Sequence, residues 1–454
     1  MGRIWAERAL LASGWHSDVA VVVDGGRITQ LHTGAAIAPD DTRVGALLPA
    51  PTNLHSHAFQ RAMAGLTERR GPDPRDSFWT WRQLMFRFLD QLTPDDVQAI
   101  AAFVQMQMLE AGYSAVAEFH YLHHAPGGQP YAHLSEMADR ITAAAADSGI
   151  GLTLLPVLYQ FGGCDKRPLG AGQIRFGNDP DRFAALLDAA QTALATLPDD
   201  ARLGVAPHSL RAVSPEGLAA CLTLRPDAPL HMHLAEQLAE VDEVSAHLGA
   251  RPVTWLLDNA PVDHRWCLIH CTQMQRGETL ALAATGAVAG LCPITESSLG
   301  DGIFDGVAWA GAGGAWGIGS DSNIRIALAE ELRTLDYSQR LRDHSRAALA
   351  TPDKSTGRVL FEGAVAGGAQ AAGRDAGQIA TGKLADLIAL DTTHIDLEGR
   401  EGDTLLDAFI FAADDCAITD VWSAGRHVVT QGRHMHHDTI TASYRKVLRR
   451  LTAL

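Results

Sequence analysis

The 454-residue chain lacks a long apolar run, a basic stretch and closely spaced cysteines, and each absence removes a class of function. No window approaches the roughly 20 apolar residues that a membrane span requires, so no membrane partner is expected. The N-terminus, Met1-Gly2-Arg3-Ile4-Trp5-Ala6, lacks the charged-then-apolar order of a secretory leader, and a cytoplasmic location is expected. Lys and Arg number 37 against 53 Asp and Glu, a net charge of −16, and no basic run is long enough to follow a phosphate backbone. Nucleic acid is therefore not an expected partner. The six cysteines (Cys164, Cys221, Cys267, Cys271, Cys292, Cys416) form no C-x-x-C pair, which suits reduced, mostly buried thiols rather than disulfides. With 46% hydrophobic and 20% charged residues, the chain has the composition of a soluble globular protein with room for a large core. No internal repeat is visible.

What is present changes character along the chain. Residues 1–48 hold short β-type runs such as Val19-Ala20-Val21-Val22-Val23, followed by the turn signal Asp24-Gly25-Gly26. From about 49 onward apolar strands alternate with long Ala/Leu-rich segments, the pattern of repeated β-α units. Eight strands are expected, at 48–54, 114–119, 151–158, 202–207, 229–234, 265–271, 286–292 and 315–320. Thr93-Pro94-Asp95-Asp96 and Ser214-Pro215-Glu216 are helix starts, preceding helices at 97–112 and 217–224. The count implies an α/β fold, a (β/α)8 barrel over 49–373, its last helix an Ala/Gly-rich one at 357–373. β-type segments return at 383–391 and 417–430, so 1–48 and 374–438 are expected to form one small β domain, with a terminal helix in 439–454.

The histidines fall where such a barrel does chemistry. His55-Ser56-His57 sits at the end of the first strand, and residues two apart on a strand face the same side, so both imidazoles can meet one ion. An H-x-H alone is weak evidence, since two polar residues at a strand end are commonplace. His233 ends strand five, His270 strand six and Asp321 strand eight, and catalytic groups in these barrels come from that same face. His55, His57, His233 and Asp321 offer Zn²⁺ three nitrogens and one oxygen and leave a position for water, with Glu236 and His270 as acid-base groups. His231 competes with His233; His233 is preferred because its spacing to Glu236 brings a ligand and a proton carrier off one strand end, whereas His231 lies deeper.

The set His55-Ser56-His57, His233-Leu234-Ala235-Glu236, His270 and Ser320-Asp321 resembles the amidohydrolase superfamily, in particular its mononuclear deaminases. The resemblance covers nearly the whole chain and implies a (β/α)8 barrel with a β-sandwich built from both chain ends. Within that superfamily, the strings His57-Ala58-Phe59-Gln60-Arg61-Ala62-Met63, Trp79-Thr80-Trp81-Arg82, Glu118-Phe119-His120-Tyr121, Ala206-Pro207-His208-Ser209-Leu210-Arg211 and Asp336-Tyr337-Ser338-Gln339-Arg340 are similar to the formiminoglutamate deiminases of histidine degradation. Gln273 and Asn323 stand where that family is expected to carry histidine. Binuclear members of the superfamily often bridge two metals with a carboxylated lysine on strand four. The only lysines here are Lys166, Lys354, Lys383 and Lys446, none on that strand, which favours one zinc per chain.

The resemblance implies hydrolysis of a small dicarboxylate, N-formimino-L-glutamate, to N-formyl-L-glutamate and ammonia. Gln60, Arg82, Tyr121, His208 and Arg211 are the implied substrate-binding residues, with Glu236, His270 and Asp321 catalytic. Asp321 and His270 would orient a metal-activated water and accept its proton, and Glu236 would move protons to the leaving nitrogen. Recognition of two carboxylates by so acidic a protein requires local cations. A surface charge or a structural ion pair is the bland alternative for either arginine. Phe78-Trp79-Thr80-Trp81, in the segment 58–93, could close over a ligand. A homodimer is the expected assembly. A zinc deaminase of guanine, cytosine or an adenosine-type base is the alternative enzyme, and a non-catalytic ligand-binding barrel the alternative of another class. Gly311-Ala312-Gly313-Gly314 precedes a strand instead of following one, which is wrong for a phosphate loop. His434, His436 and His437 read as a solvated run, and Cys267 and Cys271 as barrel packing.

Overall fold

The computed structural model describes residues 2–68 and 78–452, without the side chains of residues 78–80 and 83. Four N-terminal strands, Gly2–Leu11, Gly14–Asp24, Arg27–His32 and Thr42–Pro49, join four C-terminal ones, Leu387–Leu390, Ile418–Ser423, Arg426–Thr430 and Arg433–His434, in one eight-stranded sheet. The seam lies where Thr42–Pro49 runs antiparallel to Leu387–Leu390, pairing Leu48 with Ile388. Successive side chains on a strand point to opposite faces. Ile4, Val19, Val21, Leu47 and Leu387 on one face close a core of the sheet's own, while Ala46, Leu48, Ile388 and Leu390 on the other join the core shared with the barrel. The turn at Asp24-Gly25-Gly26 places both glycines at positive φ, 54° and 80°, a backbone that joins two antiparallel strands tightly and that only glycine adopts freely.

Eight parallel strands form the barrel: β1 Thr52–Ser56, β2 Ala115–His120, β3 Gly151–Leu158, β4 in two pieces Arg202–Leu203 and Ala206–Pro207, β5 Leu230–Leu234, β6 Trp266–His270, β7 Val288–Leu291 and β8 Ala315–Ile318. Bridges Val205↔Leu230 and Ser56↔Asp321 close the ring between β4 and β5 and between β8 and β1. The expected strand 202–207 is interrupted because its backbone serves two neighbours. Gly204 N donates to Leu154 O on the β3 side at 2.8 Å, and Val205 N donates to Pro229 O on the β5 side at 2.9 Å. The first barrel strand starts at Thr52 and not at 48, because Leu47 and Leu48 are taken into the terminal sheet.

Helix α1 spans Phe78–Leu89, and α2 spans Pro94–Glu110, starting three residues before the expected 97. Thr93 caps α2: its hydroxyl accepts from Asp96 N while Asp96 Oδ2 accepts from Thr93 N at 2.8 Å, and Pro94 fills the first turn. The Ala/Gly-rich α3, Thr356–Ala371, lies so close to β8 that a Cβ on Gly367 would fall 1.8 Å from Trp316 O. The terminal helix α4, His437–Thr452, packs on α2 by stacking Tyr444 on Phe103 at 4.0 Å between centroids. Of the three histidines at its start, only His436 is exposed as a solvated run would be. His434 is 2% exposed and its Nε2 meets Ser148 O at 2.8 Å, while His437 Nδ1 meets Glu110 Oε1 at 2.7 Å, so both tie the terminal strand and helix to the barrel. Among the described residues no helix is long and apolar enough to cross a membrane.

Candidate active site

The ends of β1 and β8 are locked together before any side-chain chemistry begins. Asp321 N donates to His55 O and His57 N donates to Asp321 O, each at 2.9 Å. Gly319 permits this approach: a Cβ there would lie 2.7 Å from His55 Cβ and 2.8 Å from His55 N and O. Asn53 reinforces it, donating from Nδ2 to Ser320 Oγ at 2.6 Å and accepting from Ser320 N at 3.1 Å. Asn323, at one of the two positions where the resemblance predicts histidine, completes the clamp; Ser320 Oγ donates to Asn323 Oδ1 at 2.6 Å, and Asn323 Nδ2 donates to Ser56 Oγ at 3.1 Å. Gln273 is more remote, its amide donating to Asp301 O. Left-handed backbone at Ala235, His270, Cys271, Asp321 and Asn323 clusters at these strand ends, where bulky residues adopt it only under surrounding constraint.

On this frame His55, His57, His233 and Asp321, all buried, bring one ligand atom each within 4.8 Å of one another. His55 Nε2 lies 3.2 Å from the Nε2 of both His57 and His233, and Asp321 Oδ1 lies 3.4 Å and 3.2 Å from His55 and His57 Nε2. Tetrahedral ligands at about 2.0–2.1 Å from zinc sit about 3.3 Å apart, so the spacing suits one small divalent ion. Hydrogen bonding suits it too. His57 Nδ1 meets Phe119 O at 3.0 Å and His233 Nδ1 meets His208 O at 3.1 Å. A proton on each Nδ1 leaves each Nε2 lone pair aimed at the common centre, an arrangement that needs a positive charge there. Burial holds His55 neutral, its pKa pushed down to about 3. Burial works against the Asp321 charge, but the imidazoles of His55 and His57 beside it keep its pKa well below the usual carboxylate range. His231 is elsewhere: its Nε2 meets Ala371 O at 2.7 Å on the side of α3.

His270 stands beside the cluster, its Nδ1 3.2 Å from Glu296 Oε1 and its Nε2 3.7 Å from Glu236 Oε1 and 3.9 Å from Asp321 Oδ2. Burial opposes its charge, but these three carboxylates raise its pKa well above the ordinary imidazole value. Glu236 is shifted upward, first by burial and also by the Asp321 charge. Glu240 holds the turn that carries it, accepting from Glu236 N at 2.9 Å.

A cleft opens over the cluster, and all five expected substrate-binding residues, Gln60, Arg82, Tyr121, His208 and Arg211, line it. Gln60 Nε2 donates to Tyr121 Oη at 2.8 Å. Burial, and then the charges of Arg211 and Arg82, keep His208 far below its ordinary pKa and hence neutral. Of the expected lid, the side chains of Phe78, Trp79 and Thr80 lie outside the described residues; Trp81 lines the cleft. Cys267 and Cys271 are fully buried. Sequence reasoning overlooked Tyr159, Gln173 and Glu296. Tyr159 and Glu296 had a usable signal, a polar-tipped residue just past the ends of strands three and seven. Gln173, on the segment that follows β3, had none.

The comparisons with known proteins agree with this geometry. Residues 46–428 match the amidohydrolase family, and residues 1–45 match the formimidoylglutamate deiminase HutF N-terminal domain. The chain is 46% identical over 451 residues to a formimidoylglutamate deiminase of Pseudomonas aeruginosa, covering 99% of each chain. It is similar to a crystal structure of an amidohydrolase from Brucella melitensis, with TM-score 0.96 and 48% identity over the full length of both chains. An adenosine deaminase from Xanthomonas campestris solved with bound zinc shares the fold, with TM-score 0.83 at 23% identity over 100% of this chain and 98% of that one. A family match over most of the chain, on a barrel whose strand ends gather three imidazoles and a carboxylate, has one reading: the chain belongs to the amidohydrolase family.

Proposed function

We propose that the chain hydrolyses N-formimino-L-glutamate to N-formyl-L-glutamate and ammonia, as a cytoplasmic homodimeric enzyme of histidine degradation, with residues 1–48 and 374–438 as one domain and 49–373 as the catalytic barrel. The observation that carries the substrate is the pair Arg82 and Arg211, two buried guanidiniums lining the same cleft as the His/Asp cluster. Two carboxylates answer two guanidiniums, whereas a nucleobase offers no anionic group. The similarity to the Pseudomonas aeruginosa enzyme points to the same substrate.

His55, His57, His233 and Asp321 are assigned to hold one zinc ion, which when bound supplies Lewis acidity and draws the pKa of a coordinated water towards about 7. Asp321 accepts the first proton of the attacking water. His270, set among Glu296, Glu236 and Asp321, orients the water and shares in that proton uptake. Glu236, whose raised pKa lets it carry a proton, delivers to the departing nitrogen. In balance, the water oxygen ends on the formyl carbon and both its hydrogens on the nitrogen that leaves as ammonia. Gln60, Tyr121 and His208 position the formimino and carboxylate groups beside the arginines.

Ammonia release from N-formimino-L-glutamate, from formimino compounds lacking one carboxylate, and from guanine, cytosine and adenosine tests this. Turnover that is fastest on the dicarboxylate, slower on the compounds lacking one carboxylate and nearly absent on the three bases, with close to one zinc per chain, is expected. Comparable activity on a nucleobase overturns the substrate, and two ions per chain at full occupancy overturns the metal count.

A further inference from the structure

Tyr159 follows β3 directly and is 1% exposed, yet it lines the cleft beside Arg82, Arg211 and His208. Arg82 Nη2 donates to its phenolic oxygen at 2.6 Å, and Gln173 Nε2 donates to the same oxygen at 2.9 Å. Both partners can only donate. A guanidinium has no acceptor, and the Gln173 amide is fixed in orientation because its Oε1 already accepts from Gly170 N at 3.0 Å. A phenolic oxygen has two lone pairs and one hydrogen. With both lone pairs engaged, the hydrogen remains to be donated, and among the described residues no group accepts it.

Its surroundings say what could. The His208 ring is 4.4 Å away between centroids, but it sits at an angle of 61°, and its Nδ1 is engaged with Ser209 Oγ at 3.0 Å. His208 in turn lies between Tyr159 and the cluster, 4.9 Å from the His233 ring, so Tyr159 faces a part of the ligand remote from the reacting carbon. Burial alone would raise the Tyr159 pKa, but Arg82 and Arg211 bring it below the ordinary phenol value, the mark of a positive field at this end of the cleft. A neutral donor inside that field selects an anionic acceptor.

We infer that Tyr159 is a substrate-binding residue that donates its phenolic hydrogen to a carboxylate of the substrate, held in that orientation by Arg82 and Gln173. The inference rests on the dicarboxylate reading above and names a further group that reads it. Arg82 thereby has two roles, cation and orienting donor, and Gln173 is a positioning residue.

Tyr159→Phe keeps the ring against Phe176 and His208 and removes the hydroxyl. KM for N-formimino-L-glutamate should rise roughly ten- to a hundredfold, the scale of a lost hydrogen bond to a charged group, with zinc content and kcat little changed. Because the change also removes the acceptor of Arg82 and Gln173, a comparison of substrates separates contact from scaffolding. On two formimino compounds, one lacking the α-carboxylate and one lacking the side-chain carboxylate, the penalty should vanish for one and persist for the other. An equal penalty on all three substrates, or no rise in KM, overturns the inference. If Tyr159→Phe fails to fold, the Gln173 variants decide. Gln173→Glu supplies an acceptor that captures the phenolic hydrogen and should raise KM more than Gln173→Met, which leaves the hydrogen available; the reverse order overturns the inference. A wild-type enzyme inert towards formiminoglutamate overturns the substrate reading and this inference together, whereas an active wild type with an unaltered Tyr159→Phe overturns this inference alone.

Discussion

Three side chains of the site differ in what their loss would remove. His55 is the imidazole whose Nε2 lies 3.2 Å from two others, so His55→Ala should abolish both metal content and turnover, measured by elemental analysis and ammonia release. Glu236 contributes no ligand atom to the cluster, so Glu236→Gln should retain the metal and lose turnover; normal activity in that variant would remove Glu236 from the proton path. Arg211→Met should leave metal content unchanged while lowering kcat/KM for formiminoglutamate by about 2–5 kcal/mol, roughly thirtyfold to several thousandfold, the cost of truncating one partner of a desolvated charge pair. An unchanged kcat/KM would detach Arg211 from the substrate. His55, His57, His233 and Asp321 were legible at this scale because ligation demands particular residue types at strand ends. Tyr159 could be placed at the end of β3 in the same way, but not its donor direction, which depends on which atoms of Arg82 and Gln173 point at it.

Among the elements, the site depends on how closely β8 lies against β1. The approach is set by Gly319 over the His55 backbone and by the Asn53, Ser320 and Asn323 hydrogen bonds. Gly319→Ala would force a methyl group to within 2.7 Å of His55 Cβ. The expected outcome is a loss of about 1–3 kcal/mol in stability, as for other overpacked cores, with weakened metal retention against a chelator. Thermal unfolding and metal titration measure the two, and an Ala variant that holds metal like the wild type would show that β1 can yield. Asn323 illustrates what a resemblance cannot foresee. An asparagine in place of an expected histidine keeps the strand ends joined through hydrogen bonds to Ser56 and Ser320.

Across the whole molecule, the terminal sheet and the barrel are bolted by a buried charge network. Arg374, just after α3, donates to Asp386 Oδ2 at 3.0 Å and to Asp200 Oδ2 at 3.1 Å, and Arg426 from the terminal sheet donates to Asp200 Oδ1 at 2.7 Å. Removing one member of a buried network leaves the others uncompensated, so Arg374→Met should lower stability at neutral pH by about 3–5 kcal/mol in denaturant titrations. The pH dependence has a definite sign. Burial works against the Asp200 charge, but Arg426 and Arg374 hold its pKa below the ordinary carboxylate value. Its stabilisation is therefore complete above the unfolded-state value of about 4 and is lost as pH falls through the depressed folded value. The wild-type advantage over Arg374→Met should shrink below about pH 4, and a gap independent of pH would assign the loss to packing alone.

The strand-helix alternation, the H-x-H at the end of β1 and the polar residues at later strand ends are local patterns, so sequence by itself determined the barrel, the candidate ligands and the joining of both chain ends. The interruption of β4 between Leu203 and Ala206, the start of β1 at Thr52, and the burial of His434 were decided only by tertiary structure. Each depends on which distant backbone group competes for a hydrogen bond: Leu154 and Pro229 for β4, the Leu387–Leu390 strand for residues 47–48, and Ser148 for His434. The same limit applies to Tyr159, whose donor direction follows from a guanidinium 77 residues away and an amide 14 residues away meeting one oxygen. Residue type and periodicity encode neither meeting, because hydrogen-bond direction is a property of the assembled neighbours.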